Sequence, residues 1–227
     1  MDRILQGVDQ ISFGYVNAFV LDDGRALVDT GPVKNGRRLL AAFPDGGRSL
    51  RDVLITHHHV DHVGPLARLA NEGVTVWAHA NDAKVVRGDE APPHPASRNL
   101  VERAGVLAIK NLGPKLVPAR VDREVTDGEE IAVGDGLVAY HTPGHTAGHL
   151  SFLMPSKRVL FVGDAAANYM GRLGPPAGIY TEDHDAVRKS IAKIAALDFD
   201  VACFGHGRVL KGSANTRFRR LAEKVAG

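Results

Sequence analysis

Thr56-His57-His58-His59-Val60-Asp61-His62 packs four imidazoles and a carboxylate into one short run, a density of metal-seeking groups that neither a core histidine nor a solvated loop requires. An affinity tag would be terminal and homopolymeric, whereas this run is internal and mixed. On an extended segment, residues two apart point the same way, so His57, His59 and Asp61 share one side while His58 and Val60 face the other. Upstream, Arg51-Asp52-Val53-Leu54-Ile55 reads as a short strand. Downstream, Val63 to Leu69 has helical apolar spacing with Pro65 in the first turn. The cluster therefore falls where a strand turns into a helix, a common place for a site in an α/β protein.

Three later segments carry the same chemistry, each closing an apolar strand: Tyr140-His141-Thr142-Pro143-Gly144-His145-Thr146-Ala147-Gly148-His149, Phe161-Val162-Gly163-Asp164, and Cys203-Phe204-Gly205-His206-Gly207. Glycine beside a ligand lets the backbone approach a metal without a Cβ clash. Between them the chain alternates. Phe13 to Leu21 and Arg25 to Asp29 form a hairpin across Asp22-Asp23-Gly24, and Lys34 to Phe43 is helical. Thr75 to Ala78 is a strand, and Ala80 to Val86 a short helix. From Glu124 strands are expected at 130–133, 136–141, 150–154 and 158–162, then a helix at His184 to Leu197. A strand at Val201 to Phe204 and an amphipathic helix at Ala214 to Val225 close the chain. These elements imply an α/β chain folded as a four-layer αβ/βα sandwich, one domain over 1–227. The proline-rich segment 87–122, with one helical stretch from Ser97 to Lys110, reads as an insertion or lid.

With 227 residues, 44% of them apolar and 24% charged, the chain can bury a sizeable core. A formal charge of +2 without a basic run argues against nucleic acid as a partner. The single cysteine, Cys203, rules out an internal disulfide framework and fits a reducing compartment. No signal-like block opens the sequence, and no apolar stretch approaches the roughly 20 residues that span a bilayer. A cytoplasmic protein acting on a small molecule, with no membrane partner, is expected. The sequence leaves the oligomeric state open, a homodimer included.

Taken together, His57-x-His59-x-Asp61-His62, then His145, Asp164 and His206 in that order, with Asp29-Thr30-Gly31 upstream, resemble the metallo-β-lactamase superfamily of binuclear hydrolases, in its glyoxalase II-like and lactonase-like branches. The resemblance runs from about Val16 to Gly207. It implies that His57, His59 and His145 hold one metal, that Asp61, His62 and His206 hold a second, and that Asp164 bridges them. Imidazole nitrogens and carboxylate oxygens suit zinc, and also iron or manganese. Two divalent ions outweigh Asp61, Asp164 and a bridging hydroxide by one positive charge, so such a site polarises a carbonyl and keeps its water ionised near neutral pH. The expected reaction is hydroxide attack on a small ester, thioester or lactone, with Asp61 also orienting the nucleophile or shuttling a proton. Asp29 resembles the carboxylate that orients a ligand histidine. His149, Tyr169 and Tyr180 are candidates for ligand or substrate contact.

Departures from relatives narrow this reading. Asp164 argues against β-lactam hydrolysis, because β-lactamases of the three-histidine, Asp-His type lack a bridging carboxylate. Glyoxalase II continues into a helical glutathione-binding region, whereas only about 21 residues follow His206 here. Acyl-homoserine lactonases place a tyrosine three residues after the bridging aspartate, where this chain has Ala167. The alternatives are a mononuclear iron persulfide dioxygenase, which uses two histidines and one aspartate, or a β-lactamase- or phosphodiesterase-type hydrolase of the same fold.

Overall fold

The computed structural model describes residues 1–93 and 114–226. Successive side chains of a strand leave opposite faces, and that alternation builds the layers. In β3 (Asn17–Leu21), Ala18 and Val20 enter one apolar cluster while Phe19 and Leu21 enter another. The first sheet runs in chain order through β1 (Asp2–Leu5), β2 (Val8–Ser12), β3, β4 (Ala26–Val28), β5 (Asp52–Leu54), β6 (Thr75–His79) and β7 (Arg123–Val125). It is antiparallel as far as β4 and parallel from β4 onward. Parallel neighbours need crossovers. Here α1 (Gly36–Ala41) lies between β4 and β5, and α2 (Leu66–Asn71) between β5 and β6. With α3 (Ala80–Arg87) they cover the sheet's outer face, where Leu39, Leu66, Leu69 and Val86 cluster with Val20, Leu27, Val53 and Val76.

The second sheet contains β8 (Glu130–Ile131), β9 (Leu137–His141), β10 (Leu150–Met154) and β11 (Val159–Gly163). Beyond a separate two-stranded hairpin, β12 (Ala167–Tyr169) with β13 (Arg172–Gly174), it gains β14 (Val201–Phe204) and β15 (Leu210–Lys211). Phe152, Met154 and Phe161 of its inner face meet Phe19, Leu21 and Leu54 of the first sheet. The Phe19 and Phe161 rings stand 5.5 Å apart. On its outer face Leu160, Val162 and Phe204 pack against Ile191 and Ile194 of α4 (His184–Ala195) and Phe218 of α5 (Ala214–Ala226). Three apolar interfaces separate four layers, the αβ/βα sandwich expected from the sequence.

Several elements differ from expectation. The pair β1–β2 forms in N-terminal residues that carry no strand signal, and the hairpin β12–β13 in a stretch that reads as irregular. Both are short, and their exposed positions break the apolar alternation that marks a strand. The helix expected at Ser97 to Lys110 lies outside the described residues.

What the topology does for function is put every candidate ligand just past the C-terminal end of a strand. Asp29 follows β4, the run from His57 to His62 follows β5, His145 follows β9, Asp164 follows β11, and His206 follows β14. Those ends meet at one edge of the sandwich.

Candidate metal centre

Beyond β5 the chain bends at Thr56 and turns after His59. His62 N and Val63 N both donate to His59 O, at 2.9 and 3.1 Å, and this single turn splits the histidine run. His57 Nε2 and His59 Nδ1 remain together at 3.1 Å and cluster with His145. Asp61 is carried away from them to join His62 and His206. The expectation that His57, His59 and Asp61 share one side is therefore corrected: an extended strand would align them, but the turn after His59 sends Asp61 to a second group. His58 faces away, against Asp82.

Asp164 lies between the groups. Its Oδ2 is 3.5 Å from His145 Nε2 and 3.2 Å from His206 Nε2, and its Oδ1 is 3.7 Å from His62 Nε2. Asp61 Oδ2 is 3.4 Å from His206 Nε2. Gly205 makes room for this approach: a Cβ there would come within 2.1 Å of Asp164 Oδ1 and 2.6 Å of His62 Cε1.

The surrounding hydrogen bonds decide which nitrogen of each ring faces inward. Asp29, at φ +57°, turns its buried carboxylate toward β5. Its Oδ1 accepts from Thr56 N at 2.8 Å, and its Oδ2 from the Thr56 hydroxyl at 2.7 Å and from His62 Nδ1 at 2.8 Å. Having donated to Asp29, Thr56 Oγ1 can only accept from His57 Nδ1, 3.0 Å away, so His57 Nε2 presents a lone pair. His206 Nδ1 donates to the Tyr15 carbonyl at 2.7 Å. In all three rings Nδ1 is taken by a protein acceptor, so Nε2 is the nitrogen turned toward Asp164 and its neighbours and the one open to a metal.

Another chain of bonds holds Asp164 from behind. Asp164 N donates to His149 Nε2 at 2.8 Å, leaving His149 Nδ1 to donate to Thr142 Oγ1 at 2.8 Å. Thr142 then donates to Ser151 Oγ at 3.1 Å, and Ser151 donates to Val162 O at 2.9 Å. Both His149 nitrogens are thus committed to protein atoms. Tyr169 and Tyr180 do stand beside the centre, their rings 6.4 Å from His206 and 6.3 Å from His59.

The electrostatics divide in the same way as the geometry. Burial, reinforced by His62, His59 and His145, keeps His57 well below the ordinary imidazole pKa. Burial also brings His145 down to about 4. In the other group burial opposes charge on the imidazoles but loses: Asp164, Asp29 and Asp61 push His62 up to about 9, and Asp164 with Asp61 pushes His206 up to about 12. Burial would raise Asp61, yet His62 and His206 hold it at about 2. One half of the centre is a nest of neutral lone pairs and the other is carboxylate-rich.

A divalent cation suits this donor set. His145 Nε2 and Asp164 Oδ1 are buried, aimed into the cluster and without a hydrogen-bond partner, a costly state unless a cation completes them. Among the described residues, three overlapping triads have ligand atoms within 4.8 Å of one another: His57 with His59 and His145; His57 with His62 and Asp164; Asp61 with His62 and His206.

The metallo-β-lactamase superfamily pattern matches residues 11–206, and the chain belongs to that superfamily, as a metallo-hydrolase. Among curated relatives, a hydroxyacylglutathione hydrolase of Pseudomonas aeruginosa (strain LESB58) is 35% identical over 76% of this chain and 52% of its own length. This chain thus spans about half of that relative. The hydroxyacylglutathione hydrolase GloC of Haemophilus influenzae is 28% identical over 84% of each chain. A metallo-β-lactamase family protein from Thermus thermophilus superposes with a TM-score of 0.72 at 25% identity, covering 98% of this chain and 79% of its own. The MIM-2 metallo-β-lactamase, at 24% identity and a TM-score of 0.73 over 99% and 86% of the two chains, shares the fold.

Sequence reading missed several residues that shape the centre. Thr56 and the Tyr15 carbonyl set histidine tautomers, and Asp82 of α3 bonds to His58 N, the Thr146 hydroxyl and Gly148 N. Only Thr56, inside the motif, carried a local signal. No helix among the described residues is long and apolar enough to cross a membrane.

Proposed function

We propose that this protein hydrolyses a small ester, thioester or lactone, with two divalent ions, zinc foremost and iron or manganese also suited, held by His57, His59 and His145 and by Asp61, His62 and His206. Asp164 is shared between them. The observation that carries the reading is the Asp164 carboxylate, which stands within 3.2 to 3.7 Å of ligand nitrogens from both groups. When bound, such ions acidify water and polarise a carbonyl oxygen.

The protein's own groups perform the rest. Asp29, Thr56 and the Tyr15 carbonyl hold His57, His62 and His206 through Nδ1 and aim each Nε2 inward, where a bound ion would replace the proton that Asp164 and Asp61 favour on His62 and His206. Asp61 stays ionised at neutral pH and lines the cavity, where its carboxylate would accept a hydrogen bond from the attacking water and orient it toward the carbonyl. The hydrolase names of the relatives support the reaction class, and the names of the glutathione-thioester enzymes favour a thioester or ester over a β-lactam.

Elemental analysis combined with a panel of thioesters, lactones, β-lactams and phosphodiesters tests the proposal. Two metals per chain with hydrolysis of the first two classes is expected. One iron per chain with oxygen consumption on a persulfide overturns it in favour of a dioxygenase.

A further inference from the structure

Tyr15 is a large aromatic side chain that metal binding leaves unused. Its main chain is fixed: the carbonyl accepts from His206 Nδ1 at 2.7 Å, and on either side Phe13 N donates to Val16 O at 2.9 Å and Asn17 N to Gly205 O at 2.8 Å. Asn17 Nδ2 adds bonds to Phe204 O and Gly207 O, at 3.0 and 2.9 Å. The segment before β3 is therefore clamped to the loop that carries His206. Tyr15 itself, by contrast, is 58% exposed. The ring lies nearly parallel to His206, at 19° and 6.1 Å between centroids.

That exposure opens into a cavity of about 820 Å³ in front of the metal ligands, which Tyr15 lines with Asp61, His206, Tyr169 and Tyr180. This is the size of a pocket for a whole small molecule. Among the described residues, the wall away from the ligands is mainly apolar, with Pro32, Val85, Leu116, Pro118, Pro176 and Ile179, and Glu90 and Lys115 are its charged members. A glutathione conjugate brings two carboxylates and an ammonium, and the described residues of this wall offer one cation and one anion to meet them. An extended hydrocarbon group finds matching surface along it, beginning at a tyrosine ring set beside His206.

We propose that Tyr15 is a specificity-determining residue whose ring packs against an apolar acyl chain, so that the site selects esters, thioesters or lactones of extended apolar acids over compact or highly charged ones. This rests on the reading of the centre as an ester-, thioester- or lactone-cleaving hydrolase. The rigid backbone fixes the point from which the ring extends and so limits the ordering entropy that substrate binding must overcome.

The test uses the zinc-loaded full chain, its Y15F and Y15A variants, and straight-chain p-nitrophenyl esters from acetyl to decanoyl, with the matching thioesters and lactones as further substrates. For the wild type, kcat/KM is expected to rise about fourfold per methylene while the chain is being buried. Y15A should lose about tenfold or more on octanoyl and decanoyl esters, mainly through KM, and stay within about twofold on acetyl. Y15F should keep the wild-type profile, and metal content should be unchanged in both variants because His206 is held by the main-chain carbonyl. A Y15A loss that is uniform across chain lengths, or a flat wild-type profile, overturns the assignment of Tyr15 while the hydrolase reading stands. Failure to cleave any ester, thioester or lactone overturns the hydrolase reading, and this inference with it.

Discussion

Replacing Asp82 by alanine is expected to loosen both ligand loops at once. Asp82 is 2% exposed. It accepts from His58 N at 2.9 Å, Thr146 Oγ1 at 2.7 Å and Gly148 N at 2.8 Å. His58 sits between His57 and His59, while Thr146 and Gly148 follow His145, so one side chain joins the two segments. Alanine would strand two buried N–H donors, each costing about 1–3 kcal/mol, and would also remove a hydroxyl bond, for a loss of about 3–5 kcal/mol in all. A second route gives a compatible lower figure. Burial raises the Asp82 pKa, but the bonds from His58 and Thr146 outweigh it and hold the carboxyl at about 2, against an ordinary 3.8; that is worth about 2 kcal/mol by linkage. Because the folded value is depressed, this contribution is full above about pH 4 and is lost as the pH falls toward about 2. The gap between wild type and D82A should therefore narrow in acid. Urea unfolding can be followed through the single tryptophan, Trp77, whose Nε1 donates to Asp52 Oδ1 at 2.8 Å. A D82A protein within about 0.5 kcal/mol of wild type at neutral pH, with kcat/KM intact, would refute the argument.

Three further outcomes are expected. Gly205→Ala would place a methyl 2.1 Å from Asp164 Oδ1; displacing that carboxylate should cut activity by more than about a hundredfold and lower metal content on elemental analysis. Asp29→Asn should weaken metal affinity about 10- to 100-fold by disturbing the partner of His62 Nδ1, measurable by competition with a chromophoric chelator. Stripping metal with a chelator should lower the melting temperature, and re-addition at about 100 times the dissociation constant should restore about 3 kcal/mol of stability; an unchanged thermal midpoint would count against a metal bound to the folded state.

The fold and the ligand set are legible in the sequence for one reason: both depend on local pattern. Phe19 and Leu21 alternate with Ala18 and Val20, and that alternation alone is enough to send β3 into two interfaces. His57, His59 and His62 are separated by fixed short steps, and the glycines beside Asp164 and His206 mark close approach. Asp82 gives no such sign. It sits in the first turn of an ordinary short helix, and its three partners come from loops 24 to 66 residues away. Tyr15 is equally silent, since its carbonyl acts on a histidine 191 positions distant and any residue supplies a carbonyl. The path of Asp61 departs from expectation because the strand ends at Leu54 and hydrogen bonding to His59 O has begun a turn before Asp61 is reached.

The bonds behind Asp164 carry a consequence for proton traffic. From Asp164 N through His149, Thr142 and Ser151 to Val162 O, each donor has a single direction open to it, and the last acceptor is a carbonyl that cannot pass a proton on. Burial holds His149 at about 3, so it stays neutral at working pH. The wire is wound one way and ends blind. A proton at the centre cannot leave along this chain of bonds, whereas Asp61, Tyr15, Tyr169 and Tyr180 line the open cavity on the other side of Asp164.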